Sequence, residues 1–456
     1  MAVHGKVLTL AYGATMNFDR SFDLVVLGAT GLTGRLVVEQ LGRRDTLSKS
    51  TGTGRRWSVA GRDPARLAKV LADLRFEDVE VLHADLDDET SLLGLAMQTK
   101  VVLNCAGPYT PKSERVIEAC VQCSTSYVDL SGEIPLLRRV IDRFDEAARL
   151  AGVQIVQMAG WEAMPFDLTT LVACRRATAD VTAEFDQRPR DVGSGAAGLI
   201  RSVHVAVRFP RRPQGGIPFN QSVSGGTLAS IVEILKDPNA RLVGRPESLL
   251  PLSLLGGIRR RPAPLNLWPL VKDRRVFGPV VPVAFLNPPI VYRTAAILAA
   301  EGTAAVSFAN YREGMDLGSS TGRAGFKRKV AATLKAVMQK VFILATRLPL
   351  TIRRGAAQIL GRLLPAPGSG PSGHYLLDWT WEVEATATTE DGRTGSAMLS
   401  GTGHPGYTAT AAMICEVALH VASRSRAESR SGCLTPSLAL SASGEPIMKM
   451  PTLTLK

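Results

Sequence analysis

A glycine-spaced turn between an apolar strand and a helix is the feature that most constrains the fold of this chain. Residues 22–35 read FDLVVLGATGLTGR, so Gly28, Gly31 and Gly34 follow the apolar run directly. Glycine permits a tight turn and lets the backbone approach a pyrophosphate, whose charge is attracted by the N–H groups and dipole of the following helix. Because a strand precedes these glycines and a helix follows them, the segment predicts a dinucleotide-binding domain rather than an ordinary strand–turn–helix corner.

The end of the second predicted strand, at 57–60, indicates which dinucleotide binds. A domain that prefers NAD usually places Asp or Glu there to bind the ribose 2′-hydroxyl. Here the first charged side chain is Arg62, and an arginine can make charge-assisted bonds with a 2′-phosphate. Asp63 and Pro64 fit the N-cap and first-turn positions of the next helix. The sequence therefore favours NADPH over NADH, and a solvated surface arginine is the alternative interpretation of Arg62.

Short apolar runs alternate with amphipathic stretches from residue 22 to about 158. Predicted strands lie at 23–27, 57–60, 79–83, 100–104, 126–130 and 153–158, and predicted helices lie at 32–43, 64–74, 89–98, 112–123 and 134–151. Short strands dense in Val, Leu and Ile suit a parallel sheet that is buried on both faces. We therefore predict an α/β fold with an N-terminal Rossmann-type, doubly wound parallel sheet.

The alternation of strands and helices ends after Gly160, which predicts an inserted α+β second domain. Its clearest strands come late, at 375–388 and 395–401, and the Asp391-Gly392 pair between them predicts a hairpin turn. The predicted organisation is an N-terminal extension at 1–20, a Rossmann domain at 21–160, a substrate and dimerisation domain at 161–402, and a C-terminal helix and tail at 403–456 that pack back on the Rossmann domain.

The basic residues are concentrated in one part of the chain. The formal net charge is +13, and residues 317–377 contain ten Lys or Arg and no Asp or Glu. The segment 323–364 has the spacing of an amphipathic helix, but no run reaches the roughly 18 apolar residues of a membrane span. Two interpretations remain open: a basic helix on an anionic membrane surface, or a helix packed on the protein's own core with its basic face in water. With only 5% aromatic residues, a nucleic-acid partner is not expected.

The six cysteines are scattered, as is typical of a reduced intracellular protein. Cys120 and Cys123 form a CxxC pair, but no second pair or His cluster lies near, so we interpret them as core or surface thiols and expect no metal site. The first twenty residues lack the pattern of a secretory signal. We expect an intracellular, cytoplasmic protein.

Eight motifs, in order along the chain, resemble those of the saccharopine dehydrogenase-like oxidoreductases, a family that includes the bacterial trans-acting enoyl reductases. They are GATGLTGR at 28–35, AGRDPARL at 60–67, VVLNCAGPYT at 101–110, YVDLSGE at 127–133, SGGT at 224–227, PGSGPS at 367–372, GHPGYTATA at 403–411 and CLTPSLAL at 433–440. The resemblance implies reduction of a C=C or C=N bond. It also implies a hydrophobic or lipid-linked substrate, since the enoyl reductases act on polyketide-derived lipids and animal members are associated with lipid droplets.

One segment departs from the family pattern. After the sixth strand the family usually reads close to CGFDSIPSDL, whereas residues 159–168 read AGWEAMPFDL. The glycine, the proline and the final Asp-Leu are retained, but the cysteine and serine are lost and the first aspartate is Glu162. A polar role of the lost side chains in a substrate pocket is therefore in doubt in this chain.

Ligands of an open α/β sheet bind at the carboxyl ends of its strands, which here are residues 104–109, 131–133 and 159–162. The residues expected to hold the cofactor are Gly28, Thr30, Gly31, Leu32, Gly34 and Arg62, with Asn104, Cys105, Ala106 and Gly107 behind its nicotinamide ring. Tyr109 and Glu133 are the candidate proton donors; the alternatives are a packed tyrosine and a carboxylate that only stabilises a helix start.

These features together predict an NADPH-binding oxidoreductase of the saccharopine dehydrogenase-like family. No tyrosine is followed by a lysine four residues later, which disfavours the short-chain dehydrogenase mechanism. The alternatives are true saccharopine dehydrogenase activity and a non-catalytic nucleotide-binding protein on lipid droplets or membranes. The expected partners are a small-molecule or lipid-linked substrate, an anionic membrane or lipid-droplet surface at 323–364, and a second copy of the chain in a homodimer.

Overall fold

The computed structural model describes residues 20–49, 56–110, 112–185, 199–213, 217–218, 224–255, 261–281, 284–302, 308–363, 370–424, 429–442, 445–446, 449–450 and 453–456. The predicted N-terminal extension, apart from Arg20, lies outside the described residues, as do 367–369 of the PGSGPS motif.

The first half of the described chain contains, in order, β1 (Phe22–Leu27), α1 (Leu32–Lys49), β2 (Trp57–Gly61), α2 (Pro64–Leu74), β3 (Val81–His83), α3 (Glu89–Met97), β4 (Thr99–Asn104), α4 (Ser113–Gln122), β5 (Ser126–Asp129), α5 (Ile134–Leu150), β6 (Gln154–Val156), α6 (Met164–Phe185), β7 (Ile200–Arg211) and α7 (Gly225–Lys236). The second half contains a 3₁₀ turn (Ala240–Leu242), α8 (Leu252–Leu255), β8 (Leu270–Lys272), β9 (Arg275–Gly278), α9 (Asn287–Ala300), β10 (Asn310–Ser319), α10 (Gly322–Ala345), α11 (Leu350–Leu363), α12 (His374–Leu377), β11 (Thr380–Thr389), β12 (Thr394–Thr402), a π-helical turn (Pro405–Ala409), α13 (Thr410–Ser423), β13 (Gly432–Leu434), α14 (Pro436–Leu440), β14 (Ser441–Ala442), β15 (Glu445–Pro446), β16 (Lys449–Met450) and β17 (Leu453–Leu455).

The first sheet is parallel, with the strand order β13-β6-β5-β4-β1-β2-β3. The order 3-2-1-4-5-6 within it is that of dinucleotide-binding domains, in which the strand order reverses between β1 and β4. Val25 and Val26 are fully buried, as expected of a sheet covered on both faces. The predicted fold class is therefore confirmed. The structure adds a seventh strand, β13, which the sequence analysis missed.

Local capping also follows the sequence. Asp63 caps α2, its Oδ1 accepting a hydrogen bond from Arg66 N (3.1 Å), and Pro64 occupies the first turn. Gly152 follows α5 with φ +65°, a left-handed conformation that ends a helix without steric strain. Helix α2 therefore begins at Pro64, and Arg62 lies between the carboxyl end of β2 and the cap of this helix.

The second sheet is mixed, with the order β16-β17-β12-β11-β7-β10-β9-β8; β7 and β10 are parallel and the other neighbours are antiparallel. The predicted hairpin is present, with Thr388 opposite Thr394 and Gly392 at φ +87° in the turn. Its first strand begins at Thr380 because His374–Leu377 forms the short helix α12. Alternate residues of β11 are buried, on the side where α6 packs.

The C-terminal segment contacts both sheets. Helix α13 packs on α1, β1, β4 and β5, and β13 pairs with β6. Strand β17 instead pairs with β12 in the second sheet. The end of the tail thus lies on the second sheet, whereas the sequence analysis placed the whole tail on the Rossmann domain.

The basic segment forms two helices, α10 and α11. Helix α10 packs against β9 and β10, and α11 packs against α7. Arg353 of α11 is 5% exposed and donates hydrogen bonds to the carbonyl oxygens of Leu235 (2.8 Å) and Asp237 (2.7 Å) at the end of α7. No helix among the described residues is long and apolar enough to span a membrane.

Candidate cofactor and substrate site

The glycine turn lies at the carboxyl end of β1. Gly28 has φ +89°, and a Cβ there would lie 2.6 Å from the backbone nitrogen of Ala106. A Cβ on Gly34 would overlap the carbonyl oxygen of Gly28, so this glycine lets α1 pack closely on the turn. Gly31 differs, because among the residues that the structure describes its Cβ would meet Gly28 O alone, at 3.6 Å. The outer side of the turn at Gly31 is therefore open to a ligand.

The loop that follows β4 lies directly against this turn, where the strand order reverses. Cys105 N donates to Leu27 O (2.8 Å), and Ala106 N donates to the side-chain oxygen of Asn104 (2.9 Å). The Asn104 amide is 1% exposed and also donates to the Tyr127 hydroxyl (2.9 Å). Asn104 therefore fixes the shape of the loop from beneath, while Cys105 is only partly buried.

Arg62 is exposed at the end of β2, among other basic side chains. The hydrogen bond from Lys112 (2.8 Å), together with the charges of Lys112, Arg115 and Arg62, lowers the pKa of Asp87. Arg115 also pairs with Asp87 (3.4 Å). Lys112 and Arg115, which begin α4, were not singled out in the sequence. They place further positive charge near Arg62, where a 2′-phosphate would be bound.

Glu133 and Tyr109, the candidate proton donors, meet each other in the structure. The buried Glu133 carboxylate accepts hydrogen bonds from Tyr109 N (3.2 Å), Thr110 N (3.0 Å) and the Ser230 hydroxyl (2.8 Å). It makes no capping bond to its own helix α5. The Tyr109 hydroxyl is buried and donates to Asn104 O (3.4 Å). Burial raises the pKa of both groups. Glu133 thus ties the loop after β4 to α7 of the second domain.

Glu162, which follows the carboxyl end of β6, lies near enough to Tyr407 for its charge to act on that side chain. The Glu162 side chain is half-buried; burial raises its pKa, and its own backbone N–H partly offsets the rise. The Tyr407 hydroxyl accepts a hydrogen bond from Ser224 N. Burial raises the pKa of Tyr407, and the nearby Glu162 charge adds to the rise. Glu162 was noted in the sequence only as a departure from the family segment, and Tyr407 only as part of the motif at 403–411.

The π-helical turn that carries Tyr407 is held by close contacts. His404 Nδ1 accepts from Gly406 N (3.2 Å), and burial lowers the pKa of His404 to about 4, so the ring is neutral at pH 7. Trp161 N donates to the Thr410 hydroxyl (3.0 Å). A Cβ on Gly160 would lie 2.8 Å from both Leu130 and Thr410. The retained glycine of the family segment therefore permits this turn to dock on the first sheet.

The retained aspartate of that segment has a structural role. Asp167 is 1% exposed and accepts hydrogen bonds from the Thr294 hydroxyl (2.5 Å) and Ser437 N (3.0 Å). Burial raises its pKa to about 6. It joins α6 to α9 and α14.

A small cavity of about 20 Å³, which has room for one water molecule, lies beside the N-terminus of α9. Its lining is mostly apolar and includes Leu265, Trp268, Phe277 and Tyr311, together with the polar His204, Arg312 and Glu313. Burial lowers the pKa of His204 to about 4 and raises that of Glu313 to about 8. Leu286, just before α9, approaches Gly132 in the loop after β5: a Cβ on Gly132 would lie 3.1 Å from it. The start of α9 therefore lies against the loop that follows β5.

Glu313→Gln is expected to weaken the pH dependence of stability. The unfolded chain releases this proton near pH 4.5 and the folded chain near pH 8, so between these values the folded state binds more protons and rising pH destabilises it. From this one group, the free energy of unfolding falls by at most about 1.4 kcal/mol for each pH unit. An amide fits the site, since the buried Asn287 Oδ1 has no hydrogen-bond partner within the described part of the chain and can accept its N–H. Urea unfolding from pH 5 to 8 should show a flatter profile for the variant; identical slopes would contradict the assignment.

The six cysteines are free thiols, and five of them are buried. Among the described residues, no group of His, Cys, Asp and Glu side chains has the arrangement of a metal site.

Comparison with known proteins agrees with this geometry. Residues 24–156 match the family model described as the saccharopine dehydrogenase NADP binding domain. A trans-acting enoyl reductase of Mycobacterium tuberculosis is 29% identical over 446 residues, covering 92% of this chain and 94% of that protein. One of Mycobacterium ulcerans is 28% identical over 452 residues, with the same coverage. Apo saccharopine dehydrogenase (L-Glu forming) from Saccharomyces cerevisiae aligns with a TM-score of 0.43 and 14% identity, over 91% of this chain and 93% of that one. The predicted family resemblance and the NADP type of the cofactor are confirmed.

Proposed function

We propose that this chain, a saccharopine dehydrogenase-like protein with an NADP-binding first domain, is an NADPH-dependent reductase that acts on a C=C (enoyl) or C=N bond of a hydrophobic or lipid-linked substrate. The observation that carries the proposal is the open glycine turn at Gly31, placed where the strand order of the parallel sheet reverses. In such sheets this point is where the dinucleotide binds. The names of the mycobacterial relatives favour the enoyl reaction.

In this proposal Gly28, Gly31 and Gly34, with Thr30 and Leu32 beside them, receive the pyrophosphate, and Arg62 with Lys112 and Arg115 receives the 2′-phosphate. Thr30 is exposed and Leu32 half-buried at the start of α1. The loop 104–107 backs the nicotinamide. The bound NADPH supplies the hydride, while the chain orients the substrate and supplies one proton.

Glu162 and Tyr407 are better placed to supply that proton than Tyr109 and Glu133. The carboxylate of Glu133 already accepts three hydrogen bonds, and the Tyr109 hydroxyl is directed to a backbone carbonyl. Glu162 is half-exposed at the carboxyl edge of the sheet, and burial raises its pKa toward the range useful for proton transfer. We therefore propose Glu162 as the proton donor, with Tyr407 beside it, and Glu133 as a positioning residue for the loop.

The charge of the cleft favours an apolar substrate over a polycarboxylate one. The ionisable side chains at the end of β5 and in the loops that follow β5 and β6 are the acids Asp129, Glu133 and Glu162, so these two loops offer no Lys or Arg to bind the several carboxylates of saccharopine.

Glu162→Gln is expected to lower kcat by about 10²- to 10⁴-fold, the range typical of a lost general acid, with NADPH affinity unchanged. The reason is that the amide keeps the size of the side chain but cannot deliver a proton at neutral pH. Glu146→Gln, which changes an exposed carboxylate on α5, serves as the control. If Glu162→Gln keeps full turnover and an unaltered pH–rate profile, another group donates the proton.

The first experiment is titration with NADPH and NADH, followed by nicotinamide fluorescence, and then NADPH oxidation in the presence of long-chain enoyl thioesters. Selective NADPH binding with enoyl-dependent oxidation supports the proposal. Reduction of NADP⁺ by saccharopine would instead indicate true saccharopine dehydrogenase activity. Tight NADPH binding without turnover of enoyl, imine or saccharopine substrates would indicate a non-catalytic nucleotide-binding protein, and binding of neither nucleotide would make the glycine turn structural only.

A further inference from the structure

Helix α10 exposes a continuous stripe of large apolar side chains. The stripe, formed by Phe326, Val330, Leu334, Val337, Val341 and Leu344, follows the spacing of one helix face, with Phe326 and Leu334 each 68% exposed. Exposed Leu348 and Ile352 continue it toward α11. Single exposed apolar residues are ordinary, but a contiguous exposed patch marks an interaction site.

The opposite face of α10 is fixed to the protein, so the stripe cannot turn inward. That face carries small or polar residues such as Ala332, Ala336 and Gln339, all buried. Gln339 donates to Val280 O (2.9 Å) and accepts from Ala284 N (2.8 Å). Ile343 packs against Gly244, where a Cβ would lie 2.8 Å from it. Helix α10 is therefore packed on the protein, as one of the two sequence interpretations expects, but it packs through small and polar residues, and its large apolar residues face away from the protein.

Basic side chains flank the stripe on both sides. At 100° per residue, Lys327 falls at one edge of the stripe, and Lys329 and Lys340 fall at the other. Lys340 also lies over the Trp268 ring, 3.8 Å from its centroid. No acidic residue occurs between 317 and 377. An apolar stripe bordered by long cationic side chains matches an anionic lipid interface, where the apolar residues enter the acyl boundary and the cations reach the headgroups.

The other classes of partner match less well. A nucleic acid would pair with the charges but leave the apolar stripe in water, and stacking rings are few. A second copy of the same helix would bury the stripe but bring two cationic surfaces together with no acid to neutralise them, which is unfavourable.

We propose that the apolar stripe of α10, continued by α11, is a docking surface for an anionic lipid bilayer. The helix lies in the plane of the headgroups and does not cross the membrane. Each basic residue near the surface strengthens binding about fivefold, the equivalent of ~1 kcal/mol, so binding weakens with salt. This surface is separate from the nucleotide turn, and it binds lipid whether or not the proposed reduction occurs.

The test is flotation of the full-length protein with vesicles of phosphatidylcholine alone or with 30% phosphatidylglycerol, about one third anionic lipid as a probe of surface charge. Three variants are compared: Leu334→Gln/Val341→Gln in the stripe, Lys327→Gln/Lys329→Gln beside it, and a matched control, Leu150→Gln/Leu252→Gln. The control residues are 67% and 84% exposed but lie outside the stripe. NADPH binding and thermal melting verify that each variant is folded and report separately on the proposed function.

We expect the parent and the control to bind anionic vesicles, the stripe variant to bind at least about tenfold more weakly, and the lysine variant to lose about 25-fold at low salt from two charges. Equal binding by the folded stripe variant would overturn the proposal. The absence of binding of the parent protein to either kind of vesicle would also overturn the proposal. A dimer that dissociates in the stripe variant, without vesicle binding by the parent, would assign the stripe to a contact between two copies.

Discussion

Gly31→Ala is expected to leave the fold intact and to weaken NADPH binding by about 10- to 100-fold, which corresponds to ~1–3 kcal/mol of overpacking against a ligand. The backbone of Gly31 is not in the left-handed region. The Cβ atom that alanine adds would make an ordinary van der Waals contact with Gly28 O, at 3.6 Å. The methyl group would instead occupy the open side of the turn, where the pyrophosphate must approach the backbone. The measurement is nicotinamide fluorescence titration beside a thermal melt.

Gly34→Ala and Gly28→Ala provide the matched comparison. A Cβ on Gly34 overlaps the Gly28 carbonyl, and one on Gly28 lies 2.6 Å from Ala106 N in a left-handed conformation. These two variants should melt at lower temperature than the parent, so that in them a loss of NADPH binding is accompanied by a loss of stability, unlike in Gly31→Ala. If Gly31→Ala binds NADPH like the parent, the pyrophosphate does not lie on this turn.

Arg62→Asp is expected to weaken NADPH binding by ~1.5–3 kcal/mol, about 10- to 150-fold, and to leave NADH binding nearly unchanged. The loss comes from one charge-assisted phosphate contact and from the new negative charge beside Asp87. Lys112 and Arg115 remain nearby, so some preference for NADPH should persist. Isothermal titration with both nucleotides measures the ratio of the two Kd values.

Lys69→Asp is the control for net charge, since Lys69 is exposed on α2, the helix that follows Arg62. It should change the two affinities equally and slightly. Equal weakening of NADPH and NADH by Arg62→Asp would show that Arg62 is not the 2′-phosphate ligand. If Arg62→Asp changes neither the NADPH nor the NADH affinity, Arg62 is a solvated surface residue with no role in nucleotide binding.

The first sheet could be predicted from the sequence because its strands are continuous apolar runs and its turns carry their own glycine or capping residue. Asp63 caps the helix that directly follows it, and Gly152 ends the helix that directly precedes it, so both roles could be predicted from neighbouring residues in the chain. Strand β13 could not be found in the same way. It has three residues, and it is ordered only by pairing with β6 from a distant part of the chain.

In the candidate site, too, the parts that depend on local sequence could be predicted, and the parts that depend on distant contacts could not. The nucleotide turn is a local motif, and its place at the reversal of strand order followed from the predicted sheet. The proximity of Glu162 to Tyr407 and the bond from Ser230 to Glu133 depend on how the second domain docks. No periodicity or spacing in the sequence reports such contacts. The exposed stripe of α10 was also beyond prediction, because the sequence showed an amphipathic helix but not which of its faces packs.

Helix α7 sets the distance between lipid and cofactor if both proposals hold. Its first turn, capped by Ser224, lies beside Tyr407 at the cleft, and its last turn is bonded to Arg353 of α11. Twelve residues at the helical rise give a separation of about 18 Å. A double bond buried in the acyl region of the bilayer would not reach the nicotinamide over that distance. The enzyme would therefore select substrates that can be lifted out of the bilayer, such as chains still attached to a carrier or bearing a large polar group.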